Sequence, residues 1–163
     1  MKRASLAALS VAILIATAWT AASAQKAPKF SASAIQIRYV QAGDLRLPPE
    51  FQVALYENLI EEVKKTGKFK QVFRDGEQGA DQVKDLVTLR SEVRGFKEGS
   101  AMARQVTTVA GATKITVRIS LTNPDGRAIV DRDVEGNVHF FGENLRATLN
   151  FAKSVAKVIR QNF

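Results

Sequence analysis

The sequence contains no cysteine and a single histidine, His139. Without cysteine there is no disulfide, no thiolate nucleophile, no cysteine-ligated zinc and no cysteine to carry a lipid. One histidine excludes most histidine-rich metal sites, and any Ser-His-Asp triad would depend on that residue alone. We therefore expect no metal, no cofactor and no catalytic residue, and so a protein that is not an enzyme.

Long apolar runs are also scarce, and the one present lies at the N-terminus, in "MKRASLAALSVAILIATAWTAASAQ". It follows Lys2 and Arg3, covers residues 6–18 and ends before the small-x-small triplet at 22–24. It is shorter than the roughly 20 residues that span a bilayer. This pattern predicts a signal peptide over 1–24, cleaved after Ala24, and an exported, periplasmic or secreted chain without lipid. An uncleaved anchor is the alternative.

The charge is unbalanced towards the basic side, at +8 for the whole chain. Removal of the leader takes Lys2 and Arg3 and no acid, which leaves 22 basic and 16 acidic residues, or +6. Such a charge favours anionic lipid headgroups, acidic glycans or an acidic protein as partners. Export, and the lack of a basic stripe interleaved with aromatics, argue against nucleic acid.

After the leader, residues 25–34 predict a flexible lead-in, and 35–163 a single domain. The segment "AIQIRYVQ" predicts a strand in which Ile35, Ile37 and Tyr39 share one face. A helix is predicted from Pro49 towards Gly67, because its apolar residues follow a helical period. These residues are Phe51, Val53, Leu55, Tyr56, Leu59, Ile60 and Val63.

The segment "GKFKQVFR" predicts a second strand and "DGEQGADQ" a polar loop with one helical turn. Two longer segments, "VKDLVTLRSEVR" and "ATKITVRISLT", alternate apolar and polar residues, which is typical of strands with one solvent-exposed face. A turn at 123–126 then leads into a further strand. A four-residue loop there places Arg118 opposite Asp131 and Lys114 opposite Glu135, and Ile119 opposite Val130. Arg132 then points inward, so we expect a bulge, a sheet edge or a carboxylate beside it.

The chain ends in "ENLRATLNFAKSVAKVIRQNF", in which Leu145, Leu149, Ala152, Val155, Ala156 and Ile159 form a helical stripe. The element order is therefore β-α-β-β-β-β-α. This order predicts an α/β two-layer sandwich, in which a mixed five-stranded sheet carries two helices on one face.

One run, "VRGFKEGSAMARQVTTVAGATKITVRISLTNPDGR", resembles a family of exported bacterial proteins, the domain of unknown function forty-four ten. The resemblance rests on Phe96, Gly99, Ser100, Arg104, Gly111 and the turn at 123–126, with the upstream helix followed by Gly-x-Phe. It implies an envelope protein, often a lipoprotein, without an assigned activity. The layout is more distantly similar to the N-terminal domain of the Tol-system propeller protein and to the periplasmic domain of the curli secretion lipoprotein.

Two groups of polar residues are candidates for contact with a partner or an anion. Ser100 and Arg104 follow Gly99 in the connection between two strands, where turn chemistry explains the glycine and serine and the arginine could instead bind an anion. Arg90, Arg94 and Arg118, with Lys114, lie on the solvent-exposed face of the predicted sheet, where they form either solvated ion pairs or a binding face.

Three functions are consistent with these features. The first is a non-enzymatic module of the cell envelope that binds or assembles with a protein or envelope component. The second is a periplasmic hydrolase that uses Ser100, His139 and Asp131 or Asp133, although no Gly-x-Ser-x-Gly motif supports Ser100 as a nucleophile. The third is a binder of anionic lipid or glycan surfaces that uses the basic side of the last helix and the sheet.

Overall fold

The computed structural model describes residues 29–100, 112–138 and 144–163. Its elements are β1 (Ala34–Ile37), α1 (Pro49–Lys64), β2 (Gln71–Phe73), a single 3₁₀ turn (Ala80–Gln82), β3 (Leu86–Lys97), β4 (Thr113–Thr122), β5 (Ala128–Val138) and α2 (Arg146–Asn162). The predicted element order is confirmed. Within the described ranges, neither helix is long and apolar enough to cross a bilayer.

The five strands form one mixed sheet in the order β2-β1-β3-β4-β5. β1 pairs in parallel with β2 and with β3, whereas β3, β4 and β5 form an antiparallel meander. β5 is therefore a long edge strand, and β2 is a short one. This arrangement confirms the predicted mixed sheet with two helices.

The core lies between the sheet and the two helices, which pack against each other on the same face. The predicted inner residues of β4 and most predicted apolar positions of α1 are buried. Val53 is the exception, because 55 % of it is exposed. It lies two residues from both Phe51 and Leu55, about 200° round the helix from each.

The predicted apolar stripe of α2 is confirmed at Ala152, Val155, Ala156 and Ile159, which are fully buried, but not in the first turns of the helix. Leu145 and Leu149 are only half-buried, whereas Ala147 and Phe151 are fully buried. The first turns of α2 lie so close to β5 that a Cβ on Gly136 would be 2.1 Å from the Ala147 backbone oxygen. Glycine is therefore required where this strand meets this helix.

A bulge interrupts β3 between Val93 and Gly95, so that Arg94 has no opposite residue on β4. Strict alternation would turn Phe96 to solvent after Val93. The extra residue returns Phe96 to the helix side, where its ring lies 4.8 Å from that of Phe51. The bulge therefore serves packing.

The predicted register of β4 and β5 is wrong by two residues. Thr122 pairs with Ala128, which makes the loop one residue longer than predicted, and Leu121 pairs with Val130, which leaves Ile129 as a bulge. The longer loop and the bulge each shift the register by one residue. Because side chains alternate with a period of two, the total shift of two residues leaves every side chain of β5 on its predicted face. Arg118 is thus opposite Asp133, and Lys114 is opposite Asn137.

Arg132 lies opposite Ile119, on the side of the sheet that carries the helices, and is nonetheless exposed. It remains exposed because β5 is the sheet edge. The expectation of a sheet edge at Arg132 is therefore confirmed, and the bulge in β5 lies three residues before it.

The last residues of the predicted lead-in contact the domain. The Phe30 backbone N–H donates to the Asn162 carbonyl at 2.8 Å, and its ring lies 6.3 Å from that of Phe163. Ser33 donates its hydroxyl and its backbone N–H to the carboxylate of Asp85. These contacts tie the end of the predicted lead-in to the domain, and its last residue, Ala34, is the first residue of β1.

Candidate functional site

Among the described residues, none covers the sheet face opposite the helices over β3, β4 and β5, and this face carries a groove with a volume of about 890 Å³. β1 borders the same groove through the residues that follow it. Four arginines and four acids line the groove, namely Arg38, Arg90, Arg94, Arg118, Asp75, Glu92, Asp131 and Asp133. Their formal charges cancel, so the groove is highly charged but has no net charge.

Arg118 is the centre of the ion pairs on this face. Its Nε and Nη2 donate to the two carboxylate oxygens of Asp131 at 2.7 and 3.0 Å, and Nη1 lies 3.5 Å from Asp133. The hydrogen bond to Asp131 is the main cause that raises the pKa of Arg118 above its ordinary value. A fork-like pair of this kind fixes the direction of the guanidinium plane.

Two further ion pairs lie on the other side of the groove. Arg38 Nε lies 3.1 Å from Asp75, and Arg94 Nη1 lies 2.9 Å from Glu92. The side chains of Arg94 and Glu92 are 54 % and 44 % exposed. Such exposed pairs contribute about 0–1 kcal/mol each, so stability alone does not account for this charge density.

Arg90 differs from the other three arginines of the groove. Its side chain has no ion pair or hydrogen bond within the part of the chain that the structure describes. It is opposite Ser120 on β4, and Arg38, which directly follows the last paired residue of β1, lines the same groove. Because Arg90 has no acidic partner among the described residues, its guanidinium can bind an anionic group of another molecule.

The rim of the groove next to β1 is fixed by a small polar cluster. Asp75 accepts the Tyr39 backbone N–H at 2.9 Å, and the Asp75 N–H donates to Tyr56 Oη at 2.7 Å. The rings of Tyr39 and Tyr56 are 5.2 Å apart. The prediction that Tyr39 shares the buried face of Ile35 and Ile37 is wrong, because β1 ends at Ile37 and Tyr39 is 40 % exposed at the groove.

Of the predicted contact residues, Arg90, Arg94 and Arg118 line this one groove, whereas Lys114 lies further along β4 and pairs with Glu135 at 2.7 Å. Ser100 lies apart from them, at the far end of β3. There the Gly99 N–H donates to Thr113 Oγ1 at 3.1 Å, and Thr113 Oγ1 donates to Asn144 Oδ1 at 2.7 Å. Arg104, Gly111 and His139 lie outside the described residues.

Sequence reasoning missed Arg38, Tyr39 and Asp75. Alternation along "AIQIRYVQ" places Arg38 on the face opposite Ile35 and Ile37, but nothing in the sequence indicates that this strand pairs with β3. Asp75 follows β2 in a loop, and its position at the groove depends on the pairing of β2 with β1. Within the described ranges, no group of three potential metal-binding side chains is formed.

No family model matches the chain. No curated protein matches it either. The resemblance to the domain of unknown function forty-four ten is therefore not confirmed.

Solved structures do share the fold. The chain is similar to PelC from Paraburkholderia phytofirmans, whose dodecamer is known in two crystal forms. Both matches have a TM-score of 0.59, at 10 % and 9 % identity, and they cover 82 % and 83 % of this chain and 91 % of PelC. The hypothetical protein CT253 from Chlamydia trachomatis matches with a TM-score of 0.49 at 9 % identity, over 78 % of this chain and 93 % of that protein. At 9–10 % identity, the similarity to PelC establishes the architecture alone.

Proposed function

We propose that the chain is an exported, non-enzymatic protein of the cell envelope, which binds or assembles with a protein partner through the groove on its open sheet face. The observation that carries the proposal is the uncovered groove of four arginines and four acids, in which Arg90 has no acid of its own among the described residues.

The balance of charges in the groove favours a protein over a polyanion. A polyanion would require a net positive field, and the cancelling charges of this face supply little. A protein interface instead matches individual charges of both signs, which gives register and specificity more than affinity. An acidic side chain of the partner opposite Arg90 would complete the pattern that Arg38 and Arg118 already form with Asp75 and Asp131.

Self-assembly is one form that this function can take. The structure of PelC, which has a similar fold, is described as a dodecamer. A second copy of the present chain offers both arginines and carboxylates to the groove. Self-assembly of this chain is therefore included in the proposal and measured by the same experiment.

A hydrolase is less well supported. Ser100 follows Gly99 at the end of the sheet where Thr113 pairs with Val138. Asp133 precedes Val138 by five residues, or roughly 17 Å along the strand. One imidazole must hydrogen-bond both the serine and the carboxylate at about 3 Å. The distance between Asp133 and the end of the sheet that carries Ser100 is too long for this, which argues against a triad of Ser100, His139 and Asp133. Asp131 lies still further from Ser100 along the same strand.

Affinity capture from envelope fractions tests the proposal. The wild-type chain is compared with Arg90→Glu and with the control Arg127→Glu, which makes the same change in the exposed turn outside the groove. Native mass spectrometry of the three purified chains measures self-assembly in parallel. We expect a defined partner or oligomer that is retained by Arg127→Glu and reduced at least tenfold by Arg90→Glu. A wild-type chain that remains monomeric and captures nothing would contradict the proposal, as would equal behaviour of the two variants.

A further inference from the structure

A second charged surface lies on the opposite side of the domain, on the exposed face of α2. The exposed residues of this helix are Gln161 and four cations, namely Arg146, Lys153, Lys157 and Arg160. At about 100° per residue these four fall within roughly 60° of one another, along about 21 Å of the helix. They form a straight basic stripe, and α2 contains no aspartate or glutamate.

Within the part of the chain that the structure describes, no side chain of the stripe has an ion pair or a hydrogen bond. Lys153 and Lys157 are four residues apart, a spacing at which like charges repel. Arg146 lies in the first turn, at the positive end of the helix dipole, and only Arg160 lies at the favourable end. The stability of the isolated domain therefore does not explain the stripe.

The neighbouring helix α1 adds little charge to offset it. Glu57 pairs with Arg74 at 2.6 Å, Glu62 with Lys65 at 2.8 Å and Glu61 with Lys64 at 3.8 Å. Most acids on the helix side of the domain are thus already compensated. On the other side of α2, Arg132, Asp133 and Glu135 of β5 line a pocket together with Lys157. Asp133 and Glu135 already lie beside Arg118 and Lys114, at 3.5 and 2.7 Å. The charge without a partner on this side of the described chain is therefore mainly positive.

We infer that the α2 stripe docks the domain on an anionic lipid surface. The four cations project from a convex helix, so they reach a flat array of headgroups together, whereas a discrete small anion would need a concave cage. Each cation near such a surface contributes about fivefold to membrane affinity, so four together contribute several hundredfold. Docking in this way leaves the open sheet face, on the other side of the domain, accessible to a partner.

Vesicle sedimentation tests this inference, with a chain that begins at Gln25 and so contains every described element without the predicted leader. The vesicles are phosphatidylcholine alone or phosphatidylcholine with phosphatidylglycerol, at about 0.02 M and about 0.5 M salt. The test variant is Lys153→Gln/Lys157→Gln. The control is Lys64→Gln/Lys65→Gln, which removes the same charge from the end of α1, where both lysines have acid partners. Circular dichroism and thermal unfolding confirm that both variants fold.

We expect binding to the anionic vesicles at low salt only, reduced about 25-fold in the α2 variant and less than about twofold in the control. Equal binding to the neutral vesicles would overturn the inference, because it would indicate apolar insertion. An equal loss in both variants would also overturn it, since total charge would then suffice. Dextran sulfate serves as a soluble polyanion, and binding to it without binding to the anionic vesicles would assign the stripe to a glycan-like partner instead.

Discussion

A Cβ atom on Gly136 would lie 2.1 Å from the backbone oxygen of Ala147 and 2.7 Å from Cβ of Phe151. The C-terminal part of the sheet edge strand and the first turns of α2 are therefore in direct backbone contact. The Asn150 side-chain amide reinforces this contact by donating to the Asn137 carbonyl at 2.6 Å. The position of α2, and hence of its basic stripe, depends on the absence of a side chain at residue 136.

The first prediction follows from this contact. Gly136→Ala forces strand and helix apart, so we expect a loss of about 1–3 kcal/mol in the free energy of unfolding, as in other overpacked sites. Gly95→Ala is the matched control, because its Cβ would meet only Thr116 Cβ at 3.9 Å. Urea unfolding should find the control within about 0.5 kcal/mol of wild type. Equal losses in both variants would show that the close approach does not limit packing.

The second prediction compares two apolar residues of the helices. Phe151 is fully buried, whereas Val53 is 55 % exposed. We expect Phe151→Ala to lower the unfolding free energy by about 3–5 kcal/mol, and Val53→Ala to change it by no more than about 0.5 kcal/mol. Thermal and urea unfolding measure both. A large loss at Val53 would mean that this residue is covered by a partner or a second copy in solution.

These residues also indicate how far the sequence predicts the fold. Periodicity correctly predicts that α2 is amphipathic and that Ala152, Val155, Ala156 and Ile159 are buried. In the first turns, however, Ala147 and Phe151 are buried in place of the predicted Leu145 and Leu149. The displacement arises because the strand in contact with α2 has a glycine at 136, which lets the helix approach on that side. No local pattern contains that information.

The groove was predictable to a similar degree. Alternation along β3 and β4 placed Arg90, Arg94 and Arg118 on one exposed face, and the structure brings them together. Arg38 and Asp75 could not be added, since their position depends on the parallel pairing of β1 with β3 and β2. Pairing between distant strands is a tertiary property and is not encoded in the period of either strand.

The third prediction concerns acid stability. Ser33 donates its hydroxyl and its backbone N–H to Asp85, and these hydrogen bonds lower the pKa of the carboxyl. A pKa that is lower in the folded state stabilises the protein above the unfolded pKa of about 4, and this contribution is lost as the pH falls through the folded value.

Urea unfolding between about pH 7 and pH 2 measures this contribution as the difference between wild type and Asp85→Asn. We expect the difference to favour wild type at neutral pH and to shrink as the pH falls below about 4. Asp44→Asn is the control, because Asp44 is exposed and its side chain has no hydrogen bond or ion pair in the described residues. A difference between wild type and Asp85→Asn that does not vary with pH would contradict the assignment.

The fourth prediction concerns the two-pronged pair of Arg118 and Asp131. The two side chains are 40 % and 49 % exposed, so solvent screens the pair, and a double-mutant cycle with Arg118→Gln and Asp131→Asn should give a coupling energy of about 0.5–1 kcal/mol. The coupling should decrease as salt is raised. A second double-mutant cycle, which combines Arg118→Gln with Asp125→Asn in the turn, should give no coupling energy. Strong, salt-independent coupling would mean that the groove is closed to water in solution.

The last prediction concerns the exposed edge of β5. An open edge strand of eleven residues can pair with another copy, and inward-facing charges are a common protection against such pairing. Arg132 is such a charge, since its neighbours on the same side of the strand, Val130 and Val134, are buried. Two copies could pair their β5 strands in an antiparallel arrangement that keeps both helix layers on the same side of the joined sheet. In the registers centred near Arg132, this pairing places Arg132 opposite Arg132 or an acid opposite an acid. Like charges directly opposite each other destabilise a strand pair.

We therefore expect Arg132→Val to keep or raise the thermal stability of the domain and to form concentration-dependent species larger than those of wild type, measured by sedimentation velocity. Arg127→Val, in the turn before β5, removes the same charge and adds the same apolar side chain outside the paired region. It should resemble wild type. If both variants associate equally, general hydrophobicity is the cause. If neither does, the edge is protected by its acids and its bulge, and Arg132 has no protective role.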